Sequence, residues 1–158
     1  MAERVQSLVS TFEGTANDFT IFVEGLTDAQ WNTLVANDER TVGVVAHHVA
    51  DSLITTAQAT LVLTKSQPFP VTWEMINQGN AHHAIENAHA SHADTIALLR
   101  KNIPISAGVI KALQDADLDN TGEVALFGGQ QVPAHVLANQ VWVGHITGHL
   151  ANIKAALA

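Results

Sequence analysis

Apolar residues recur at every third or fourth position through four long segments, and this spacing restricts the fold more than any other feature of the chain. Side chains at that interval lie on one face of an α-helix, whereas a half-buried strand would alternate strictly between apolar and polar residues. Alternation over more than a few residues is hard to find in this sequence. The pattern predicts an all-α protein, and four long helices pack most simply as a four-helix bundle.

The signals at helix ends define the first half of the bundle. One helix is predicted over residues 3–24, and Gly25 follows it as a terminator. Thr27 begins a capped short helical turn. The second long helix is predicted to start after Thr41 as its N-cap and to continue to about residue 64. These two segments supply half of the expected core.

The second half contains more breaking residues. A third helix is predicted over residues 73–101, where Pro104 interrupts the pattern, and a further short helix over residues 105–115. Residues 117–131 are rich in Asp, Asn, Gly and Gln, so we expect one irregular but ordered connection with some strand potential. The last helix is predicted from Pro133, which suits a first helical position, to the C-terminus.

Length and charge limit the domain count and the partners. The 158 residues suit a single domain over residues 1–158. With 7 Lys and Arg against 15 Asp and Glu, the formal net charge is −8, so the phosphate neutralisation that drives nucleic-acid binding is missing as a global effect. We expect no nucleic-acid partner and no membrane partner. The low charged fraction of 14% and apolar fraction of 47% favour a largely buried set of helices, or a homodimer face, over an extended interaction tail.

The residue types that are missing limit the compartment and the chemistry. Because the chain has no cysteine, disulfides, thiolate metal sites and a cysteine nucleophile are excluded. The first residues lack the apolar core of a signal peptide, and no stretch of about 18 apolar residues could span a bilayer. A cytoplasmic protein is expected, in which imidazole or carboxylate must bind any metal.

Three histidines form the clearest candidate site. His145 and His149 are four residues apart, and a helix turns about 400° and rises roughly 6 Å over that interval, so both can contact one ion. On the second helix, the helical wheel turns His48 toward the core and His47 toward water. Helix axes in a bundle lie about 8 to 10 Å apart, so one histidine can meet the other two across a groove. Such a site leaves coordination positions open.

Other polar residues offer weaker alternatives. Asp51, one turn after His48, could accept a hydrogen bond from a metal-bound histidine, could lie near the open metal position, or could be an ordinary solvated residue. His82, Glu86 and His89 are spaced by four and three residues and could hold a second ion or a proton. Their stretch is rich in alanine and polar residues, so we expect it to form an outer helical face or the wall of a polar cleft.

Two motifs carry a resemblance to a known family. Residues 41–51, TVGVVAHHVAD, resemble the second-helix motif of the DinB-like (DNA-damage-inducible) superfamily, and residues 145–153, HITGHLANI, are similar to its final-helix motif. The resemblance implies a four-helix bundle in up-down-down-up order, often dimeric. It also implies a divalent ion, usually nickel or zinc, held by the side chains that match His48, His145 and His149.

The same resemblance frames the functional hypotheses. Characterised relatives include thiol-dependent transferases and isomerases, in which the metal lowers the pKa of the thiol of mycothiol, bacillithiol or glutathione. The leading hypothesis is therefore a metalloenzyme that activates either water for hydrolysis or a low-molecular-weight thiol for transfer. The alternatives are a bundle that binds metal for stability or sensing without catalysis, and a dimeric scaffold that binds none. Imidazole suits zinc, nickel, copper and iron, and the sequence does not identify the substrate.

Overall fold

Helices make up most of the structure, a computed structural model that describes residues 2–36 and 38–158. Within these residues, seven α-helical segments and one short hairpin follow one another along the chain. The segments are α1 Glu3–Glu24, α2 Asp28–Trp31, α3 Val42–Thr64, α4 Trp73–Glu86, α5 His92–Lys111, β1 Thr121–Val124, β2 Gln130–Pro133, α6 Ala134–Leu137 and α7 Gly144–Ala156. A π-helix, Ala138–Val143, joins α6 to α7, so residues 134–156 form one continuous helix, called the last helix below.

The contacts between α1 and α5 show that these two helices are antiparallel. Glu24, at the end of α1, accepts a hydrogen bond of 2.6 Å from Arg100, midway along α5. Glu13, midway along α1, accepts one of 2.7 Å from Lys111, the last residue of α5. The two ion pairs therefore connect the helices in opposite order along the chain.

The contacts between α3 and α5 show the opposite relation. The side-chain amide of Asn102 donates a hydrogen bond of 2.9 Å to the carbonyl of Ala50, and the hydroxyl of Ser106 donates one of 2.6 Å to the carbonyl of Leu53. Both bonds are buried, and their residue numbers increase together along the two helices. Helices α3 and α5 are therefore parallel neighbours.

The last helix completes the bundle beside α1 and α3. Trp142 stacks on Phe12 with ring centroids 3.9 Å apart, and Lys154 lies over the ring of Phe22, so the last helix is parallel to α1. It is antiparallel to α3, because its later residues approach the start of α3 and its first turn packs near the end of α3. The order is up-down-down-up, as the resemblance implies.

The predicted limits of the first two long helices are confirmed. Helix α1 covers Glu3–Glu24 and is followed by Gly25, and its buried face carries the expected apolar residues. The side chain of Thr41 accepts a hydrogen bond from the backbone N–H of Val44, so it is the N-cap of α3. The apolar spacing and the residues at the helix ends indicate the same limits for α1 and α3, so the sequence alone predicts where both helices begin and end.

The third predicted helix is wrong in its extent. Helix α4 ends at Glu86, and Ser91 caps a separate helix α5, which runs through Pro104 to Lys111 instead of stopping before it. The short helix predicted over residues 105–115 is therefore the second half of α5. Because Pro104 has no backbone N–H, the carbonyl of Arg100 has no donor within the helix. Both residues are exposed, so water can hydrate that carbonyl while the opposite face of α5 stays packed in the core.

The connection predicted over residues 117–131 is ordered and contains the hairpin. Strands β1 and β2 pair antiparallel, with Thr121 opposite Pro133 and Val124 opposite Gln130. Gly128 and Gly129, at the turn, have φ angles of 70° and 77°, a region that glycine adopts without steric cost. Pro133 ends β2 and is the N-cap residue of α6, so the prediction that it occupies the first helical position is wrong.

Two apolar clusters fill the interior. The larger one lies between the four long helices, and Trp142, Phe12, Phe19, Leu53 and Leu99 are its largest fully buried members. A smaller cluster lies under the hairpin, where residues of β1, β2 and α6 pack on the end of α3. In the described part of the chain, no helix has the combination of length and apolarity that would let it cross a membrane.

Candidate metal centre

The three histidines predicted as ligands meet at one point. One ring nitrogen from each of His48, His145 and His149 lies within 4.8 Å of the other two, and the Nε2 atoms of His48 and His145 are 3.0 Å apart. Two nitrogens bound to one zinc ion at a tetrahedral angle are about 3.3 Å apart, so the observed spacing suits a shared cation. These three side chains are called the triad below. That they bind a metal stays a prediction.

The last helix positions two members of the triad through a buried anchor. Trp142 is fully buried, and its indole N–H donates a hydrogen bond of 2.8 Å to the hydroxyl of Ser106. Ser106 in turn donates to the backbone of α3, so the anchor connects three helices of the bundle. Because His145 and His149 follow Trp142 by three and seven residues, their orientation depends on this fixed indole.

The π-helix also determines where the triad points. The N–H of Gly144 donates to the carbonyl of Asn139, five residues earlier, which is the hydrogen bond that defines a π turn. The extra residue in this turn rotates everything after it by about 100° relative to an uninterrupted α-helix. This element was not predicted from the sequence, since no residue pattern in 138–143 distinguishes a π turn from an α turn.

The electrostatics of the triad keep its imidazoles neutral. Burial, reinforced by the neighbouring His145 and His149, lowers the pKa of His48 to about 2. Burial and then His149 lower the pKa of His145 to about 3, and burial and then the Arg40 guanidinium lower that of His149 to about 4. At neutral pH all three rings therefore carry a free lone pair, which is the form that binds metal.

The surroundings of the triad fit a divalent ion. Nδ1 of His149 is buried and has no hydrogen-bond partner among the described residues, and an ion would give one nitrogen of this ring a partner. The hydroxyl of Ser52 donates 2.7 Å to the carbonyl of His48 and lies 3.5 Å from Nδ1 of His145. A ring that ligates through Nε2 holds its proton on Nδ1, so Ser52 is placed to accept it.

A cleft of about 700 Å³ opens beside the triad. Its walls are residues 48–56 of α3, residues 73–83 of α4, Leu126 from the 3-10 turn after β1, and residues 140–149 of the last helix. Asp51 is exposed on this wall, beside the open side of the triad, and the structure shows no hydrogen bond between it and a triad nitrogen. The triad is therefore open to a small molecule on one side.

A fourth histidine, His83, lies at the site and was missed. Its Nε2 is 2.9 Å from Nδ1 of His47, and its ring meets that of His48 edge-on with centroids 5.4 Å apart. The prediction that His47 faces water is wrong, because α4 lies over it and leaves it half-buried. The sequence did contain a signal for His83. Successive intervals of three, four and three residues place Trp73, Ile76, Asn80 and His83 on one face of α4, and this face lines the cleft.

The rival cluster on α4 has the exposure expected of an outer helical face. His82 and Glu86 lie 3.2 Å apart, with 73% and 60% of their side chains exposed. His89 lies in the turn after α4 and is also exposed. Among the described residues, the triad is the one group of three or more candidate ligands whose atoms come together.

Comparison with known proteins agrees with the resemblance found in the two motifs. The sequence profile of the DinB superfamily matches residues 11–153, which is most of the chain. The chain belongs to the DinB superfamily. This DinB superfamily protein also resembles a solved structure from Bacillus subtilis, YfiT, with a TM-score of 0.73 and 20% identity, over 99% of this chain and 87% of that one. No curated protein matches the chain.

The structural neighbour supports the architecture of this DinB superfamily protein. YfiT is described as "a probable metal-dependent hydrolase with an unusual four-helix bundle topology". At 20% identity the likeness shows the fold alone. The all-α four-helix bundle predicted from the sequence is therefore confirmed, with a two-stranded hairpin added to it.

Proposed function

We propose that this DinB superfamily protein is a metal-dependent hydrolase in which His48, His145 and His149 hold one divalent ion, zinc or nickel. The observation that carries the proposal is the convergence of three neutral imidazole nitrogens on a cleft large enough for a substrate. The description of YfiT as a probable metal-dependent hydrolase is consistent with it. When bound, an ion held by three imidazoles lowers the pKa of water to near 7 and supplies hydroxide at neutral pH.

The protein's own residues would position the ion and handle protons. With His145 ligating through Nε2, the Ser52 hydroxyl, 3.5 Å from Nδ1 of His145, would accept the proton of that nitrogen and so hold the lone pair of Nε2 toward the site. Asp51 and His83 are the other groups in the cleft that can carry a proton. Burial and then His47 lower the pKa of His83, so its ring is neutral at pH 7 and can accept a proton in the cleft.

The charge of the cleft favours water over a thiol cofactor as the activated group. Among the described residues that line the cleft, none is Lys or Arg, and Asp51 is the single acidic side chain. Glutathione carries two carboxylates, and no Lys or Arg side chain that the structure describes lines the cleft to pair with them, because the nearby Arg40 lies outside the lining and is paired with Asp38. Water is uncharged and needs no cationic side chain in the cleft walls. Hydrolysis is therefore the function we propose, and thiol transfer is an outcome that the experiment below would reveal.

The test measures metal and activity in the same preparations. Untagged wild-type protein, purified without added metal, should contain about one divalent ion per chain by elemental mass spectrometry, as a site with three imidazole ligands predicts. The triple variant His48→Ala, His145→Ala, His149→Ala should contain none while keeping its helical circular dichroism spectrum. A matched control, His82→Ala with His89→Ala, removes two exposed histidines and should keep the ion.

Activity decides between the remaining hypotheses. Hydrolysis of p-nitrophenyl esters should disappear with a chelator and with the triple variant, and it should return when the metal is restored to the wild type. Full metal retention by the triple variant would show that the ligands are elsewhere. A bound ion without hydrolysis, or with turnover only when a thiol is added, would refute the hydrolase and leave a metal-binding protein or a thiol transferase.

A further inference from the structure

The cleft has chemically different ends. The triad lies at one end, and four apolar side chains, Trp73, Ile76, Leu126 and Val141, lie together in the lining and are called the apolar end below. Ile76, Leu126 and Val141 pack on the cluster under the hairpin, which is far from the start of α3 where His48 lies. The polar and apolar parts of the lining are therefore separated along the bundle axis.

The separation can be measured along each wall. On α4, Ile76 and Trp73 precede His83 by seven and ten residues, which is about 10 and 15 Å at the helical rise. On the last helix, Val141 precedes His145 and His149 by four and eight residues, or about 6 and 12 Å. The walls run side by side, so a molecule that spans the cleft from triad to apolar end is about 6 to 15 Å long.

The indole at the apolar end and the threonine hydroxyls beside it already have hydrogen-bond partners within the protein. The indole N–H of Trp73 already donates a hydrogen bond of 3.1 Å to the carbonyl of Leu126. Between the two ends, the hydroxyls of Thr55 and Thr56 donate to the carbonyl of Ser52 in their own helix, at 2.9 and 3.0 Å. A substrate body without hydrogen-bonding groups therefore leaves these side chains fully satisfied.

Charge argues in the same direction. The lining holds neutral imidazoles, amides and hydroxyls, with Asp51 as its acidic side chain and no Lys or Arg among the described residues. An anionic group at the apolar end would lose its hydration without gaining a cation. A volume of about 700 Å³ lies within the range of pockets for drug-sized ligands, roughly 300 to 1,000 Å³.

We propose that the substrates are uncharged esters or amides with a long apolar body, aryl or alkyl, which lies on Trp73, Ile76, Leu126 and Val141 while the hydrolysable head lies at the triad. The position of the head rests on the proposed function, whereas the position of the body rests on the lining alone. Burial of each additional methylene at the apolar end contributes about a threefold to fourfold gain in affinity.

The experiment is a titration of the protein as purified with butanamide, hexanamide and octanamide, followed by calorimetry. Affinity should rise by about threefold to fourfold for each added methylene. The monoamide of suberic acid, which has the length of octanamide and a terminal carboxylate, should bind at least about tenfold more weakly. Equal affinity across the three amides, or equal affinity for the charged and uncharged compounds, would overturn the proposal.

Variants locate the body in the cleft. Ile76→Asn should abolish most of the gain from butanamide to octanamide. Ile85→Asn is the matched control, because Ile85 is on the same helix, 78% exposed and outside the lining. Trp73→Gln provides a second variant at a residue that is 60% exposed, so that loss of folding at one position does not decide the result. Equal weakening by Ile76→Asn and Ile85→Asn would contradict the placement.

The two proposals fail in different ways. Dependence on chain length without metal and without ester hydrolysis would refute the hydrolase and keep the apolar end as a binding site. Metal-dependent hydrolysis of short esters without any dependence on chain length would keep the hydrolase and refute the substrate class. Repeating the titration with chelator present separates binding of the body from any contribution of the ion.

Discussion

Acid should unfold the metal-free protein unusually easily, because the fold holds three imidazoles in their neutral form. Burial lowers the pKa values of His48, His145 and His149 to about 2, 3 and 4. In the unfolded chain the same rings titrate near 6.5. As the pH falls through that value, the unfolded state takes up protons and the folded state does not. Stability is therefore complete above about pH 7 and is lost progressively below it.

The size of the effect follows from the same values. Between pH 7 and pH 5, each ring that stays neutral in the fold and protonates in the unfolded chain costs about 2 kcal/mol of unfolding free energy. The triad together reaches about 6 kcal/mol as an upper limit, against a total stability of roughly 5 to 15 kcal/mol for an ordinary domain. The effect is thus large enough to bring the metal-free protein close to unfolding at pH 5.

The assay is urea unfolding at a series of pH values in the presence of a chelator, followed by circular dichroism. Wild type and the exposed-histidine control, His82→Gln with His89→Gln, should lose stability in parallel between pH 7 and pH 5. The variant His48→Gln, His145→Gln, His149→Gln should lose much less over the same range. Equal pH dependence in the triple variant and the wild type would refute the claim that the triad is held neutral by the fold.

Two substitutions in α5 test the packing around the site. Ser106→Ala should lower the free energy of unfolding in urea by about 1 to 3 kcal/mol, because the buried indole N–H of Trp142 loses its acceptor. A wild-type urea midpoint in this variant would show that the hydrogen bond does not contribute to stability. Pro104→Ala should raise the melting temperature, because it restores a backbone N–H in the middle of a helix at an exposed position; a lower melting temperature would show that the proline is needed for the path of α5.

The parts of the fold that were predictable are those in which local and global signals agree. Helices α1 and α3 have long apolar stripes, and Thr41 caps α3 as its position suggested. The triad was also predictable, since the spacing of His145 and His149 is a local property of one helix and the wheel of α3 selects His48. The spacing of the histidines does not determine the distance between α3 and the last helix.

The parts that were missed depend on contacts between distant segments. Pro104 normally ends a helix, but here the packed face of α5 continues past it and outweighs the lost hydrogen bond. The break after Glu86 has no proline to mark it. His83 enters the site because α4 lies along α3; the stripe that it shares with Trp73 and Ile76 indicates an inward face but not which helix that face meets. Leu126 reaches the end of the cleft because the hairpin brings it there, and no local pattern indicates this.

The parallel arrangement of α3 and α5 has a consequence for how this protein can diversify. After Thr64 the chain stands at the far end of the bundle, and it has to return to the near end before α5 can begin beside α3. The return is made by α4, and none of its fourteen described residues is buried. The topology thus provides a wall for the cleft from a segment that the core does not constrain. Substitutions in that segment can change which molecules are accepted while the four core helices keep the same sequence.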